Sequence, residues 1–318
     1  MDLYFKKNLV NLNYVIGGRE MKCLFVINPV SGTQAFHRKL NTFVGTLIMK
    51  TDVNTIDTFF TKGKDDAYKK CKSLKKGDYD FIVSVGGDGT VNECLGGLIK
   101  SGSDIPIALI PAGTVNDFAN YLNLPVKVSD FVEMINHFHT EKIDVGEVQG
   151  QVFANVVAGG MFSDIAFQVT SKDKNTWGPL AYYITGLSQL PQQLSLNLKL
   201  KVTADGHEFE EEASLFLVAN SQSVGGFKGI TPKASVQDGK LDLLIIKKSN
   251  VAELIALMKD LAFNAHLNNP NIKYVQAKHL RIECDKDILY DVDGEEGSTF
   301  PLEINCLPKA VNLLTRNE

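Results

Sequence analysis

Between a short, mostly apolar run at 81–85 and a helical pattern over 90–100 lies Gly86-Gly87-Asp88-Gly89-Thr90-Val91-Asn92-Glu93. This is a strand–turn–helix unit, the element from which parallel α/β folds are built. Glycines at such a turn let the backbone approach a phosphate closely, and the helix N-terminus that follows favours negative charge. No Gly-Lys-Ser/Thr follows, so the run is not a P-loop. Asn92 stands where a dinucleotide fingerprint needs its third glycine. Asp88 inside the loop is informative, because a carboxylate beside a triphosphate repels it unless a cation lies between them. The expectation is that Asp88 acts on Mg²⁺ directly or through water. A tight turn carrying a solvated aspartate is the lesser alternative when the run is taken alone.

Two further turns narrow the choice. Asn28-Pro29-Val30-Ser31-Gly32 follows the apolar run 22–28, and Pro111-Ala112-Gly113-Thr114-Val115-Asn116-Asp117-Phe118-Ala119 follows the run 105–110. A helical pattern at 36–48, a strand at 53–60 and a lysine-rich exposed helix at 65–76 complete an alternating series. All three turns then gather at the carboxyl edge of one parallel sheet, where ligands of open α/β sheets bind. The texture changes near Ile143-Asp144-Val145-Gly146. Strands are expected at 152–157, 196–203, 213–220, 241–247, 279–284 and 288–292. Leu196, Leu198, Leu200 and Val202 alternate with polar residues as a half-buried strand does. This second half reads as mostly antiparallel β with helical inserts at 179–190 and 251–263, the latter capped by Asn250 and apolar at Leu254, Ile255, Leu257, Met258 and Leu261.

Bulk properties exclude some functions. A chain of 318 residues suits two domains, and its 44% hydrophobic and 22% charged content is ordinary for globular proteins. A net charge of −4 argues against a dedicated nucleic-acid binder. Five cysteines, none in a C-x-x-C pair, indicate neither a disulfide framework nor a zinc site and fit a reducing compartment. No apolar run has the length of a membrane span, so a cytoplasmic protein is expected. Residues 1–20 precede the first convincing strand. They form an extension of doubtful status, with Met21 as the expected natural start.

The series NPxSG, GGDGT-x-NE and P-x-GT-x-ND-x-A, in this order, resembles the diacylglycerol kinase catalytic family, particularly its soluble bacterial branch, which is related to sphingosine and ceramide kinases. The resemblance implies an N-terminal α/β domain like those of NAD kinases and phosphofructokinases (21–145, with 306–318 returning to it). A C-terminal antiparallel β-sandwich-like domain (146–305) forms the other wall of the cleft. It implies ATP contacts from Asn28, Pro29, Val30, Ser31, Gly32, Thr61, Gly87, Asp88, Gly89, Thr90, Val91, Asn92, Glu93 and Thr114, with Asn116 and Asp117 grouped beside them. An acidic hairpin tip is the plainer reading of Asp291, Asp293, Glu295 and Glu296 taken alone, and the glycine loop reverses that preference: the D-G-E motif of the family matches Asp293-Gly294-Glu295, which makes Glu295 the expected general base and Asp88 its catalytic companion. Glu296, next along a strand, points to the opposite face. The family likewise implies a structural Mg²⁺ on the Asp238 carboxylate and the carbonyls of Ser235 and Lys240, linked through Asp144 and Asp117 by water to the active site. A plain Asp-Gly turn explains that segment as well.

The implied activity is transfer of the γ-phosphoryl of Mg-ATP to the hydroxyl of a membrane lipid, diacylglycerol first. Phosphatidylglycerol, a polyprenol or a sphingoid base stand as alternative acceptors. An NAD kinase and a non-catalytic lipid-binding regulator stand further off, the former because this chain lacks Asn-x-Gly-x-Leu-Gly after the loop. The partner is therefore a membrane lipid met by transient surface contact at the inner membrane face, with a homodimer expected from family likeness. Lys62, Lys64, Lys69, Lys70, Lys72, Lys75 and Lys76 read as a solvated face. Lys172 and Lys174, before Trp177, Tyr182 and Tyr183, suit an anionic bilayer, each lysine contributing about 1 kcal/mol near it. Thr33 stands where relatives often carry lysine. His137 and His139, two residues apart, do not share a helix face.

Overall fold

The computed structural model describes residues 20–31, 35–113, 115–125, 127–160, 197–249 and 265–316, with helical positions at 253, 256, 257, 260 and 261. Four strands open the chain: β1 (Met21–Ile27), β2 (Val53–Phe60), β3 (Phe81–Gly86) and β4 (Ile107–Pro111). They pair in parallel in the order β4-β3-β1-β2. Their runs are apolar without alternation because both faces are covered. On β1, Leu24 and Val26 pack with Cys94, Leu95 and Leu98, whereas Cys23, Phe25 and Ile27 pack with Phe43, Leu47, Phe131 and Ile135. Helices α1 (Ala35–Lys50) and α5 (Val128–His137) thus cover one face; α2 (Asp66–Lys72) and α3 (Asp88–Ser101) cover the other. Between β4 and α5 lies the short α4 (Asp117–Tyr121). Helix α3 ends at Gly102, whose φ of 62° closes the last turn.

The second half contributes β5 (Thr140–Val148), β6 (Gln151–Phe153), β7 (Val156–Gly160), β8 (Leu198–Ala204), β9 (His207–Ala219), β10 (Ser223–Val224), β11 (Phe227–Lys228), β12 (Leu241–Lys247), β13 (Ile272–Ala277), β14 (His279–Cys284), β15 (Tyr290–Val292), β16 (Glu295–Glu296) and β17 (Leu302–Leu314). Apart from the β10–β11 hairpin, the strands form one 15-stranded sheet whose main path is β16-β15-β7-β9-β8-β14-β17-β4-β3-β1-β2. Its second half is antiparallel, and the alternation of β8 puts Leu198, Leu200 and Val202 in a core with Phe216, Leu243 and Ile282. Buried Leu257 joins a separate cluster with Leu215, Leu217, Leu244 and Ile246.

Strand β17 runs antiparallel to β14 and β5, then pairs in parallel with β4 at Leu313 and Ile107. The final segment therefore returns to the first four strands. Strand β5 runs through the boundary expected at 145 and 146, so the hydrogen-bonded sheet is continuous there.

The lysine-rich helix is shorter than expected, stopping at Lys72. The single strand expected at 152–157 is two. Ala154 and Asn155 separate them because both amides turn to the Asp293 carboxylate, at 2.8 and 3.1 Å, rather than to a neighbouring strand. The expected insert at 179–190 and the residues Lys172, Lys174, Trp177, Tyr182, Tyr183, Thr33, Asn250, Leu254, Ile255 and Met258 lie outside the described residues, as do residues 1–19.

Asp242, at the start of β12, is fully buried. One carboxylate oxygen accepts the Tyr274 hydroxyl and the Gln276 amide; the other has no hydrogen-bond partner among the described residues. Burial pushes its carboxyl up to about 6, against the pull of Tyr274. A folded-state value above the ordinary one gives stability that is complete below about pH 4 and is lost as pH rises through about 6. Asp242→Asn removes that loss. The variant is expected to gain roughly 2 kcal/mol on the native chain between pH 4.5 and pH 7.5. Urea midpoints at the two pH values check this, and a difference that does not change with pH contradicts it.

Candidate active site

The carboxyl ends of β1, β2 and β3 open into a cleft of about 490 Å³ that also takes one residue from the second half, Glu295. The glycine turn after β3 lines its base, and the turn after β4 packs against that turn. Gly113 packs on Gly87 so closely that a Cβ at Gly113 would lie 2.6 Å from the Gly87 Cα. Asn116 holds this turn, at φ 53°, by accepting the Gly113 N–H and donating to the Gly113 carbonyl. Gly113→Ala therefore forces the turns apart. We expect the KM for ATP to rise at least about tenfold, a loss of roughly 1.4 kcal/mol of binding, while a titration showing unchanged ATP affinity contradicts the contact's importance.

Helix α3 starts inside the cleft with Gly87 as its first cap, and its opening turn presents the backbone of Gly89 and Thr90. Orphan amides at a helix start form an anion site. On the facing wall, the Asn28 side chain donates to the Thr90 hydroxyl at 3.1 Å and accepts the Val30 N–H. Ser31 folds its hydroxyl onto the Asn28 carbonyl. Asn28, Pro29, Val30 and Ser31 line the cleft, as does Thr61, whose N–H donates to the carbonyl of Ile27. Gly32 and Thr114 lie outside the described residues.

Several motif residues brace this wall, Glu93 while also lining the cleft. Val91 is buried in the core. The Glu93 carboxylate accepts the N–H groups of Asp65 and Ala67 at 2.9 and 3.0 Å, which fixes the loop leading into α2. Asn92 donates to Asp293 and accepts the Ala154 N–H. Asp88 receives the backbone amides of Asn116, Asp117 and Phe118, and burial, then the nearby Asp117 charge, hold its carboxyl above the usual range. It is absent from the cleft lining. Asp117 crosses to the second half, accepting the Ser223 hydroxyl and the Gly226 N–H.

Asp293 joins the halves. It accepts N–H groups from Ala154, Asn155 and Val156 and the side-chain amide of Asn92, at 2.6 to 3.1 Å. Burial pushes its carboxyl up to about 7, with these donors pulling the other way. Two residues on, Glu295 stands over the glycine loop: a Cβ placed at Gly89 would lie 3.4 Å from its Oε1. Its Oε2 is 2.9 Å from the Lys64 ammonium. At the second acidic turn, Asp144 is fully buried and accepts N–H groups from Gly239 and Lys309, while exposed Asp238 accepts the Lys240 N–H and the Ser235 hydroxyl accepts that of Gln237.

Lys62, Lys64 and the bracing role of Asp293 escaped the sequence reading. The lysines looked like part of a solvated face. The signal that could have found two of them is Lys62-Gly63-Lys64 directly after a strand of the parallel sheet, at the edge where ligands bind.

A helix-start anion site facing a carboxylate across a cleft between an α/β half and an antiparallel β half defines a two-domain phosphotransferase. A diacylglycerol kinase catalytic domain model matches residues 22–148, and a YegS C-terminal NAD kinase beta sandwich-like domain model matches 155–315. The chain belongs to the diacylglycerol kinase family and, by that membership, is a lipid kinase. It is 34% identical over 297 residues to a diacylglycerol kinase of Staphylococcus haemolyticus (strain JCSC1435), covering 92% of this chain and 88% of the relative. With a diacylglycerol kinase of Staphylococcus aureus (strain Newman) the identity is 32%, covering 92% of each. A crystal structure of a diacylglycerol kinase from Bacillus anthracis str. Sterne superposes with a TM-score of 0.75 at 27% identity, covering 94% of this chain and 98% of that one. Among the described residues no helix is long and apolar enough to cross a membrane.

Proposed function

We propose that this chain transfers the γ-phosphoryl of ATP to the free hydroxyl of diacylglycerol, giving phosphatidic acid in phospholipid metabolism. The observation that carries the reading is the place of Glu295, a carboxylate over the first turn of α3, so that a proton acceptor and an anion-binding helix start share one cleft. Backbone amides from Gly87 to Thr90 hold the phosphates, and the Asn28–Thr90 pair closes the opposite wall. Glu295 takes the lipid hydroxyl's proton as that oxygen bonds to the γ-phosphorus. The bridging P–O bond breaks and ADP leaves with its electron pair.

Mg²⁺ fits the donor chemistry at two places. Asp88 lies buried beside the Asp117 charge, a concentration of negative charge that a cation relieves. At the turn at 235–240 the family resemblance points to the Asp238 carboxylate and the Ser235 and Lys240 carbonyls, an oxygen set that would suit a hard ion. Among the described residues no three His, Cys, Asp or Glu side chains group to hold a metal. When bound, Mg²⁺ neutralises part of the triphosphate charge.

The acceptor is a membrane component. We place the chain in the cytoplasm, in transient contact with the inner membrane surface, without a nucleic-acid partner, and as a homodimer. Radiolabelled ATP offered with micelles of diacylglycerol, phosphatidylglycerol, a polyprenol or a sphingoid base tests the substrate. Label is expected in phosphatidic acid; label confined to another lipid, or to none, overturns the assignment.

A further inference from the structure

The cleft holds an ion pair that the reaction as described does not use. Lys64 Nζ lies 2.9 Å from Glu295 Oε2, joining the loop after β2 to β16. Each partner stands on a braced frame. Glu93 fixes the Lys64 loop by accepting the N–H groups of Asp65 and Ala67, and Asp66 accepts those of Lys62 and Gly63. Asn92, next in the chain to Glu93, ties Asp293 and so places Glu295. The first turns of α3 therefore set both arms of the pair as well as the phosphate-binding amides. Side-chain exposures of 70% for Lys64 and 37% for Glu295 leave the pair largely in water. An exposed pair of this kind is weakly held, so a stronger anion in the same cleft displaces it.

We propose that Lys64 is a nucleotide-responsive latch on the base. With no nucleotide bound, its ammonium occupies a lone pair of Glu295. When the ATP triphosphate enters, the ammonium turns to the terminal phosphate and leaves Glu295 free to accept the lipid hydroxyl. A triphosphate carries several negative charges against one on the carboxylate, and lysine binds phosphate as a point charge on a flexible stem. Glu295 and Lys64 both border a second cavity of about 490 Å³, lined also by Tyr68, Lys100 and Gln151, so the side chain has room to move. Lys64 acts here as a positioning residue, and ATP binding promotes acceptor binding.

The inference rests on the lipid kinase reading, and its test separates the two. Binding of soluble dioctanoylglycerol is measured by calorimetry with and without a non-hydrolysable ATP analogue, alongside steady-state kinetics, for the native chain, Lys64→Met and Lys64→Arg. The analogue is expected to tighten dioctanoylglycerol binding at least about threefold in the native chain and by less than about 1.5-fold in Lys64→Met. The KM for ATP is expected to rise about tenfold in Lys64→Met and to recover in Lys64→Arg, with the melting temperature unchanged in both. A purely structural lysine moves neither the coupling nor the KM. An unchanged KM for ATP, or an undiminished coupling, in Lys64→Met overturns the latch. A native chain that does not phosphorylate dioctanoylglycerol overturns the diacylglycerol assignment instead.

Discussion

Glu295→Gln yields a folded protein that binds ATP yet phosphorylates diacylglycerol about 10²–10⁴-fold more slowly, the range a positioned general base supplies. Glutamine keeps the shape of the side chain over Gly89 but cannot take a proton from the lipid hydroxyl. The change leaves the phosphate-binding amides of α3 and the Asn28–Thr90 wall untouched. The loss therefore falls on kcat, with the affinity for ATP within a few-fold of native. Labelled phosphatidic acid counted per minute, together with calorimetric titration of ATP, reads both quantities. Native kcat in the variant removes Glu295 from the base role. Loss of ATP binding would instead show that Glu295 supports the nucleotide.

Asp293→Ala is expected to cost about 3–5 kcal/mol, because it strips one acceptor from three main-chain N–H groups and the Asn92 amide at once. Two of these donors, Ala154 and Asn155, sit between β6 and β7, outside the strand pairing. Water can reach some of them once the carboxylate is gone, which keeps the cost below the sum of four separate penalties. The same carboxylate places Glu295 two residues later, so kcat falls in the fraction that remains folded. The urea midpoint and slope give the stability change. A shift equivalent to less than about 1 kcal/mol would mean that other contacts hold the two halves together, since surface-type substitutions stay within that range.

The parallel half of the sheet was legible because its strands are unbroken apolar runs ending at glycine turns, and a turn that seats Gly113 on Gly87 requires glycine at position 113. Strand β17 was not legible. Its register against β5 shifts between Leu307 and Val311, and Lys309 takes a φ of 53° with its N–H held by buried Asp144. That bulge destroys the alternation by which a strand is read. The texture of the sequence changes within strand β5, where Asp144 and Gly146 interrupt the apolar pattern and both serve packing. Asp144 pins the 235–240 turn, and a Cβ at Gly146 would overlap the Phe153 ring, at 1.9 Å.

The candidate site was legible to the same depth. Motif spacing found the glycine loop and the D-G-E turn, but not how the work divides among their residues. The family resemblance groups Asn92, Glu93, Asn116 and Asp117 with the nucleotide site. Each also braces the loop, through partners of which some lie far off in sequence: Asn92 meets Asp293 across 201 residues and Asp117 meets Ser223 across 106. No local pattern encodes such a pairing. Lys64 was hidden for the opposite reason, since a lysine among lysines carries no distinguishing signal until the fold places one of them against Glu295.

A crystal structure with a non-hydrolysable ATP analogue bears most directly on the shared cleft. The terminal phosphate is expected on the backbone amides at the start of α3, with the Glu295 carboxylate facing the lipid side of that phosphate. A triphosphate bound away from residues 86–93, or a Glu295 side chain turned out of the cleft, would contradict the account.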